Sequence, residues 1–197
     1  ARDRGKLLHT LMMELWGSLN SKSQLDAIAE DELAAIIDAA AAAAVAKVRA
    51  ERAGVLEGRM AELERVRLAK LAYEWLAVER MREDFEVVAR EERRTLEVAG
   101  LAFTGRIDRM DRLTGGSGGY ALLDYKSGRA TPNDWLGARP DDPQLPLYAI
   151  TAREDVAAVA FARIKTGEMR FMGLARAAGL MPKVNAVEAW SALREGW

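Results

Sequence analysis

Apolar residues recur at intervals of three and four along the first part of the chain. In GKLLHTLMMELWGSL, Leu7, Leu8, Leu11, Met12, Leu15 and Leu19 fall on one stripe, with His9, Met13 and Trp16 along its edge. This is the pattern of an amphipathic helix. Ser23 followed by Asp26 offers a side-chain oxygen for open amides and an acid for a positive first turn, and so predicts the start of a second, long helix. Its stripe runs through Leu25, Ala29, Leu33, Ile36, Ile37, Ala40, Ala44 and Val48, and Gly54 and Gly58 break it. The helical period then resumes with Leu63, Val66, Tyr73 and Leu76, and the many charges between them predict a solvated face.

From Phe85 the period changes to two. FEVVARE, RTLEVAG, LAFTGRIDRMDRL and YALLDYKSG read as consecutive antiparallel strands. TGGSGG between the last two is a flexible hairpin connection, because no helix opens directly after it as a phosphate cradle would need. DDPQLPLYAITAR predicts a short helix, its prolines standing where a first turn tolerates them. VAAVAFARI is an apolar strand, GEMRFMGLA its partner, and NAVEAWSALREGW a final amphipathic helix. The expectation is one α/β domain over 1–197: a helical region over 1–82 and a sheet-containing core over 83–197 with a mixed central sheet flanked by helices.

Composition narrows the function classes. The chain has 197 residues, 29 basic and 30 acidic, for a net charge of -1. No global field attracts nucleic acid, and any such binding needs a local cluster of cations. The absence of cysteine excludes disulfides, thiolate zinc sites and iron–sulfur clusters ligated from within the chain, and fits a reducing compartment such as the cytoplasm. The alanine-rich run before Val48 is too weakly apolar to span a bilayer, so no membrane association is expected. A first residue other than Met and an abrupt end at Trp197 suggest a piece of something longer.

The chemistry concentrates on two strands. Alternate residues of a strand share a face, so Asp124 and Lys126 project together while Leu123 and Tyr125 point the other way. In GRIDRMD the same rule groups Arg106, Asp108 and Met110 on one face, with Gly105, Ile107 and Asp111 on the other. Only one of the two aspartates of GRIDRMD can then face Asp124 unless a bulge intervenes. If the strands are neighbours, Asp108 meets Asp124 across the ladder, offering hard oxygen ligands for Mg²⁺ or Mn²⁺, with Lys126 beside the ion to orient or deprotonate a water. Spacing by itself favours an ordinary solvated pair of acid and lysine.

The neighbouring motifs change that balance. RGKLLHTLMMELW, GRIDRMD, LLDYKSG and QLPLY resemble, in this order, the opening Gly/His helix, the G-x-I-D strand, the D-Y-K-[ST] strand and the Q-x-x-x-Y helix of the RecB-like exonuclease branch of the PD-(D/E)xK nuclease superfamily. That branch includes the C-terminal nuclease domains of bacterial repair and recombination helicase–nucleases. The resemblance spans most of the chain and implies a restriction-endonuclease-like core. It further implies a metal-dependent deoxyribonuclease, an exonuclease on single-stranded DNA or duplex ends, with one or two Mg²⁺ or Mn²⁺ ions and a helicase domain or subunit as companion.

Carried over by residue, the resemblance makes Asp108 and Asp124 acidic metal ligands, adds the main-chain carbonyl of Tyr125, and makes Lys126 the catalytic lysine. His9, the only histidine, would approach the same metal from the helical region; its plainer reading is a residue at the border of an apolar stripe. Glu91 best fits the family's upstream glutamate, with Glu92 one residue away on the opposite strand face. Gln144 and Tyr148 share one helical face, placed to contact the lysine, the neighbouring strand or DNA. Arg106, Arg109, Arg112, Arg129 and Arg139 give the motif region the cationic bias a phosphate-tracking groove needs. Trp135 could stack on a base or pack under its loop. Some relatives hold an iron–sulfur cluster through four cysteines, which this chain lacks, and no G-x-x-x-x-G-K-[ST] nucleotide loop occurs. The rival from another class is a catalytically inactive domain of the same shape that binds DNA ends or braces a larger repair complex.

Overall fold

The structure is a computed structural model that describes every residue except Ala1, Ala53, Ala99, Ser117, Ala138 and Arg139, and only the backbone of Arg2, Val98 and Phe103. Four helices come first: α1 (Arg2–Leu19), α2 (Lys22–Ala27), α3 (Glu30–Glu51) and α4 (Gly58–Glu79). Six strands follow, β1 (Phe85–Val98), β2 (Leu101–Leu113), β3 (Tyr120–Lys126), β4 (Val156–Arg163), β5 (Arg170–Ala175) and β6 (Asn185–Ala186), with α5 (Gln144–Thr151) between β3 and β4 and α6 (Trp190–Glu195) last. Among the described residues no helix is long and apolar enough to cross a membrane.

The strands form one sheet in sequence order. β1, β2 and β3 pair antiparallel, β3 and β4 parallel, β4 and β5 antiparallel, and β5 and β6 parallel. The parallel step follows from the long excursion through a 3₁₀ turn at Pro132–Trp135 and through α5, since a parallel neighbour needs a crossover rather than a hairpin. β3 and β4 are buried along almost their whole length, as strands covered on both faces must be. Ala158, Ala160 and Ala162 pack with α1, α3 and α4, whereas Val159 and Phe161 pack with α5 and α6. Small alanines on the first face let the N-terminal helices lie close to the sheet.

The helical region differs from the sequence expectation in two ways. The long second helix is two helices: Ser21, not Ser23, caps α2 by accepting from the Gln24 amide at 3.2 Å, and the chain turns through extended Ile28 and Ala29 before α3. Helix α4 buries Leu68, Leu71, Ala72, Trp75 and Leu76, while Leu63, Val66 and Tyr73 are exposed. Its apolar residues supply two stripes, and the one holding Trp75 wins the core because it carries the larger burial.

Two strand expectations also change. FEVVARE and RTLEVAG are one strand, β1, interrupted by a register shift between Val87 and Ala89 and by a left-handed φ of 48° at Glu91. The charged EERR run therefore continues the ladder instead of breaking it. The last segment contributes a short β6 before a helix of only six residues. Gly118 and Gly119 take positive φ in the β2–β3 connection; Ser117 of TGGSGG lies outside the described residues.

Candidate metal centre

The β2–β3 ladder runs from Arg112 opposite Tyr120 to Arg109 opposite Leu123. One further step in that register would set Asp108 against Asp124. There the strands part, and the Tyr125 amide donates to Asp108 Oδ2 at 2.9 Å in place of a backbone partner. The site is built in this splay, beyond the last rung.

Strict alternation does not survive the splay. Ile107 and Met110, three apart, pack into the same cluster with α5, and Asp111 turns into the opposite core beside Arg109. The predicted grouping of Ile107 with Asp111 is thus incorrect. The register shift in β1 lies opposite Asp111 and Met110, and the left-handed Glu91 lies one step from the Arg90–Arg109 pair; such irregularities twist a strand and re-aim its side chains.

α1 carries His9 to this point. Its Nδ1 lies 3.0 Å from Glu91 Oε1 and 3.3 Å from Asp108 Oδ1, and its Nε2 lies 3.2 Å from the Tyr125 carbonyl oxygen. Both ring nitrogens face acceptors, so the imidazolium is favoured. Burial opposes the charge, but the bonds to Asp108 and Glu91 outweigh it and push the His9 pKa up to about 10. Ligand atoms of His9, Glu91 and Asp108 all lie within 4.8 Å of one another. One imidazole nitrogen with carboxylate oxygens, and a main-chain oxygen alongside, is a donor set that could hold a divalent metal ion.

Asp124 completes the acidic wall. Its carboxyl is pushed up to about 7, first by burial and then by the negative charge of Asp108, with Lys126 and His9 pulling the other way. Lys126 Nζ sits 2.8 Å from Asp124 Oδ2 and 3.7 Å from Asp142 Oδ2. Burial works against the ammonium, yet Asp124 and Asp142 hold its pKa above the usual lysine value. Asp142, just before α5, had no signal in the sequence beyond its place at a helix start. His9, Asp108, Asp124 and Lys126 together line a cavity of about 790 Å³.

The remaining expected residues divide. Glu91 points into the site and also pairs with Arg106 at 2.9 Å, whereas Glu92 pairs with Arg94. Gln144 donates to the Arg106 carbonyl at 3.3 Å. The Tyr148 ring lies against Gly105, where a Cβ would come within 2.3 Å of its hydroxyl, which gives the glycine of GRIDRMD a steric reason. Both residues of α5 thus contact the neighbouring strand and line the cavity. Arg129 is exposed and Arg112 pairs with Glu86. Trp135 is fully buried against Phe161 at 4.5 Å, which leaves it no face for a base. Arg139 lies outside the described residues.

Arg109 is the clearest departure, because it belongs to no groove. It is fully buried with Glu79, Arg82 and Asp111. Its Nε donates to Asp111 Oδ1 at 2.6 Å and its Nη1 to Glu79 Oε1 at 2.7 Å, while its guanidinium lies 4.0 Å over the Trp16 ring. Arg82 bridges Glu79 and Asp111 from the other side at 2.9 and 2.7 Å. Two cations and two anions cancel, which is what makes their burial tolerable. Tyr125 joins this block to the site: burial raises its phenol pKa and Arg109 opposes the rise, while its backbone holds Asp108 and faces His9. Nothing in the sequence marks Glu79 and Arg82 as interior, since they sit among charges that read as solvated.

A family model for the PD-(D/E)XK nuclease superfamily matches residues 1–195, and the mixed sheet with helices on both faces is the restriction-endonuclease-like arrangement that match implies. No curated protein gives a significant match to the chain.

Proposed function

The chain belongs to the PD-(D/E)XK nuclease superfamily, and from that premise we propose that it is a divalent-metal-dependent deoxyribonuclease. The reading extends to an exonuclease acting on single-stranded DNA in repair or recombination, working with a helicase domain or subunit. The observation that carries it is the convergence of His9, Glu91 and Asp108, two of which, His9 and Asp108, line one cavity with Asp124 and Lys126.

In this reading Asp108, Asp124, His9 and the Tyr125 carbonyl would hold the ion, with Glu91 beside them. Bound Mg²⁺ or Mn²⁺ would supply Lewis-acid polarisation of a phosphoryl oxygen and a lowered pKa for bound water. His9 must shed its proton to become a ligand. Lys126 remains an ammonium, placed to orient the attacking water and to offset charge as it develops on the phosphoryl oxygens. The water oxygen bonds to phosphorus and releases its proton to bulk water, the P–O bond to the leaving nucleotide breaks, and the leaving oxygen takes up a proton from bulk water. Gln144 and Tyr148 brace β2 next to Asp108, and Arg106 and Arg129 meet backbone phosphates.

The test is cleavage of end-labelled single-stranded DNA with Mg²⁺, with Mn²⁺ and with EDTA, by the wild type and by Lys126→Ala. Cleavage should require the cation and fall by roughly 100-fold or more in the variant, the range for loss of one transition-state electrostatic contact. Undiminished cleavage by Lys126→Ala would overturn the lysine's role. DNA binding without any cleavage by the wild type would instead establish the inactive, end-binding alternative.

A further inference from the structure

A second cavity, of about 400 Å³, lies beside the candidate metal centre. The two share Ser127 and Gly128, the residues directly after Lys126. α1 straddles them: Gly5 and His9 line the larger cavity, Arg4 and Leu8 the smaller. The rest of the smaller wall comes from Arg67 and Leu71 of α4 and from Ile164, Lys165 and Thr166 after β4. Because β3 and β4 run parallel, their carboxyl ends open together, and crevices outside such ends are where ligands of open α/β sheets bind.

The two cavities differ in charge. The larger holds Asp108, Asp124 and Asp142 alongside His9, Arg106 and Lys126. Among the described residues the smaller has no carboxylate in its lining, and instead offers Arg4, Arg67 and Lys165 with the hydroxyls of Ser127 and Thr166. Arg67 lies across Glu64, with Nε to Oε2 at 2.9 Å. Lys165 pairs with Glu168 at 2.5 Å, but the same carboxylate also receives Arg163 at 2.6 Å, so this trio carries one surplus positive charge. Arg4 is exposed and has no ion-pair partner among the described residues.

The geometry points to this second cavity as a subsite for a backbone phosphodiester of the nucleic-acid strand next to the one that is cut, held by Arg4 and Lys165 with Ser127 and Thr166 donating. The inference rests on the nuclease reading above and adds to it the path of the strand, which passes from the acidic centre across Ser127 and Gly128. Acidic ligands concentrate the metal, and the adjoining cations take a phosphate that has no metal to neutralise it.

The test is the double variant Arg4→Ala/Lys165→Ala, with Arg49→Ala on α3 as a cation outside the cavity. Binding of a fluorescein-labelled oligothymidylate is followed by anisotropy across a KCl series in EDTA, and cleavage kinetics are measured with Mn²⁺. Each phosphate contact on a single strand contributes about 0.7 to the slope of log K against log salt. The double variant should therefore flatten that slope by about 0.7 to 1.4 and raise KM several-fold with kcat retained, while Arg49→Ala changes neither. If the wild type cuts the strand but the double variant keeps its slope and KM, the subsite is overturned and the nuclease reading stands. If the wild type neither binds nor cuts the strand, the nuclease reading fails and the subsite fails with it.

Discussion

Replacing Arg109 by methionine isolates the buried charge block behind the site. Methionine keeps much of the arginine stem's volume and its contact with Trp16 and Phe85, so the change falls mainly on charge. The wild-type guanidinium makes three bonds of 2.6 to 2.8 Å, to Glu79 through Nη1 and to Asp111 through Nε and Nη2. Without it, two fully buried carboxylates share the single guanidinium of Arg82. Breaking a buried pair by removing one partner costs about 3–5 kcal/mol. For a chain of this size each kcal/mol moves the melting temperature by about 2–4 °C, so the expected loss is roughly 6–20 °C. Calorimetry or urea denaturation monitored by tryptophan fluorescence measures it. The second arm is Arg109→Met with Glu79→Gln, which leaves Arg82 and Asp111 as a balanced pair. If uncompensated charge is the cause, the double variant loses less than the sum of its parts, with a coupling of about 0.5–3 kcal/mol. A loss below about 1 kcal/mol for Arg109→Met, or strict additivity, would refute the reasoning.

Asp124→Asn should stabilise the metal-free protein at pH 8, because the carboxyl whose pKa is raised to about 7 is there forced to ionise beside Asp108. Its folded pKa exceeds its unfolded value, so ionisation disfavours the fold above pH 7 and the gain fades as pH falls toward 4; a pH series of melting curves reads this, and a destabilised variant at pH 8 contradicts it. In the same variant metal-dependent cleavage should disappear. Titration of Mn²⁺ into the protein should raise the melting temperature, by the equivalent of about 2.7 kcal/mol at a hundred times Kd, and His9→Ala should shrink that shift. Gly105→Ala should cost about 1–3 kcal/mol by driving a methyl into Tyr148, and Tyr148→Ala in the same chain should recover part of it; urea midpoints decide.

The sheet was legible in the sequence where local chemistry agreed with tertiary demand. β3 announces itself by an apolar run ending in Asp124 and Lys126, and β4 by an apolar run of its own. The α4 stripe misled because Leu63 and Val66 keep the period as well as Leu68 and Trp75 do, and only the partner surface decides between them. The strand break expected at EERR failed for a related reason, since Arg93 is exposed and Arg94 pairs with Glu92 and Glu154, so neither charge ends the ladder. For the candidate site, residue types and order pointed to His9, Asp108, Asp124 and Lys126, but parity misassigned Ile107, because alternation assumes an unbroken ladder and Ile107 lies beyond the last β2–β3 rung at Arg109. Asp142 and the Glu79–Arg82–Arg109–Asp111 block were invisible, since burying balanced charge leaves no mark on hydropathy.

His9 and Tyr125 are separated by 116 positions, and this separation sets a schedule. Contacts between residues so distant in sequence form late, because closing the long loop comes before any return from the contact. During synthesis α1 emerges well ahead of the strands that complete its cage. A chain interrupted before β3 holds a histidine with neither Asp124 nor the Tyr125 carbonyl to share an ion. At the proposed site, metal capture would thereby wait until β3 has been made, and a chain that stops before it lacks the cage around which cutting is proposed to occur.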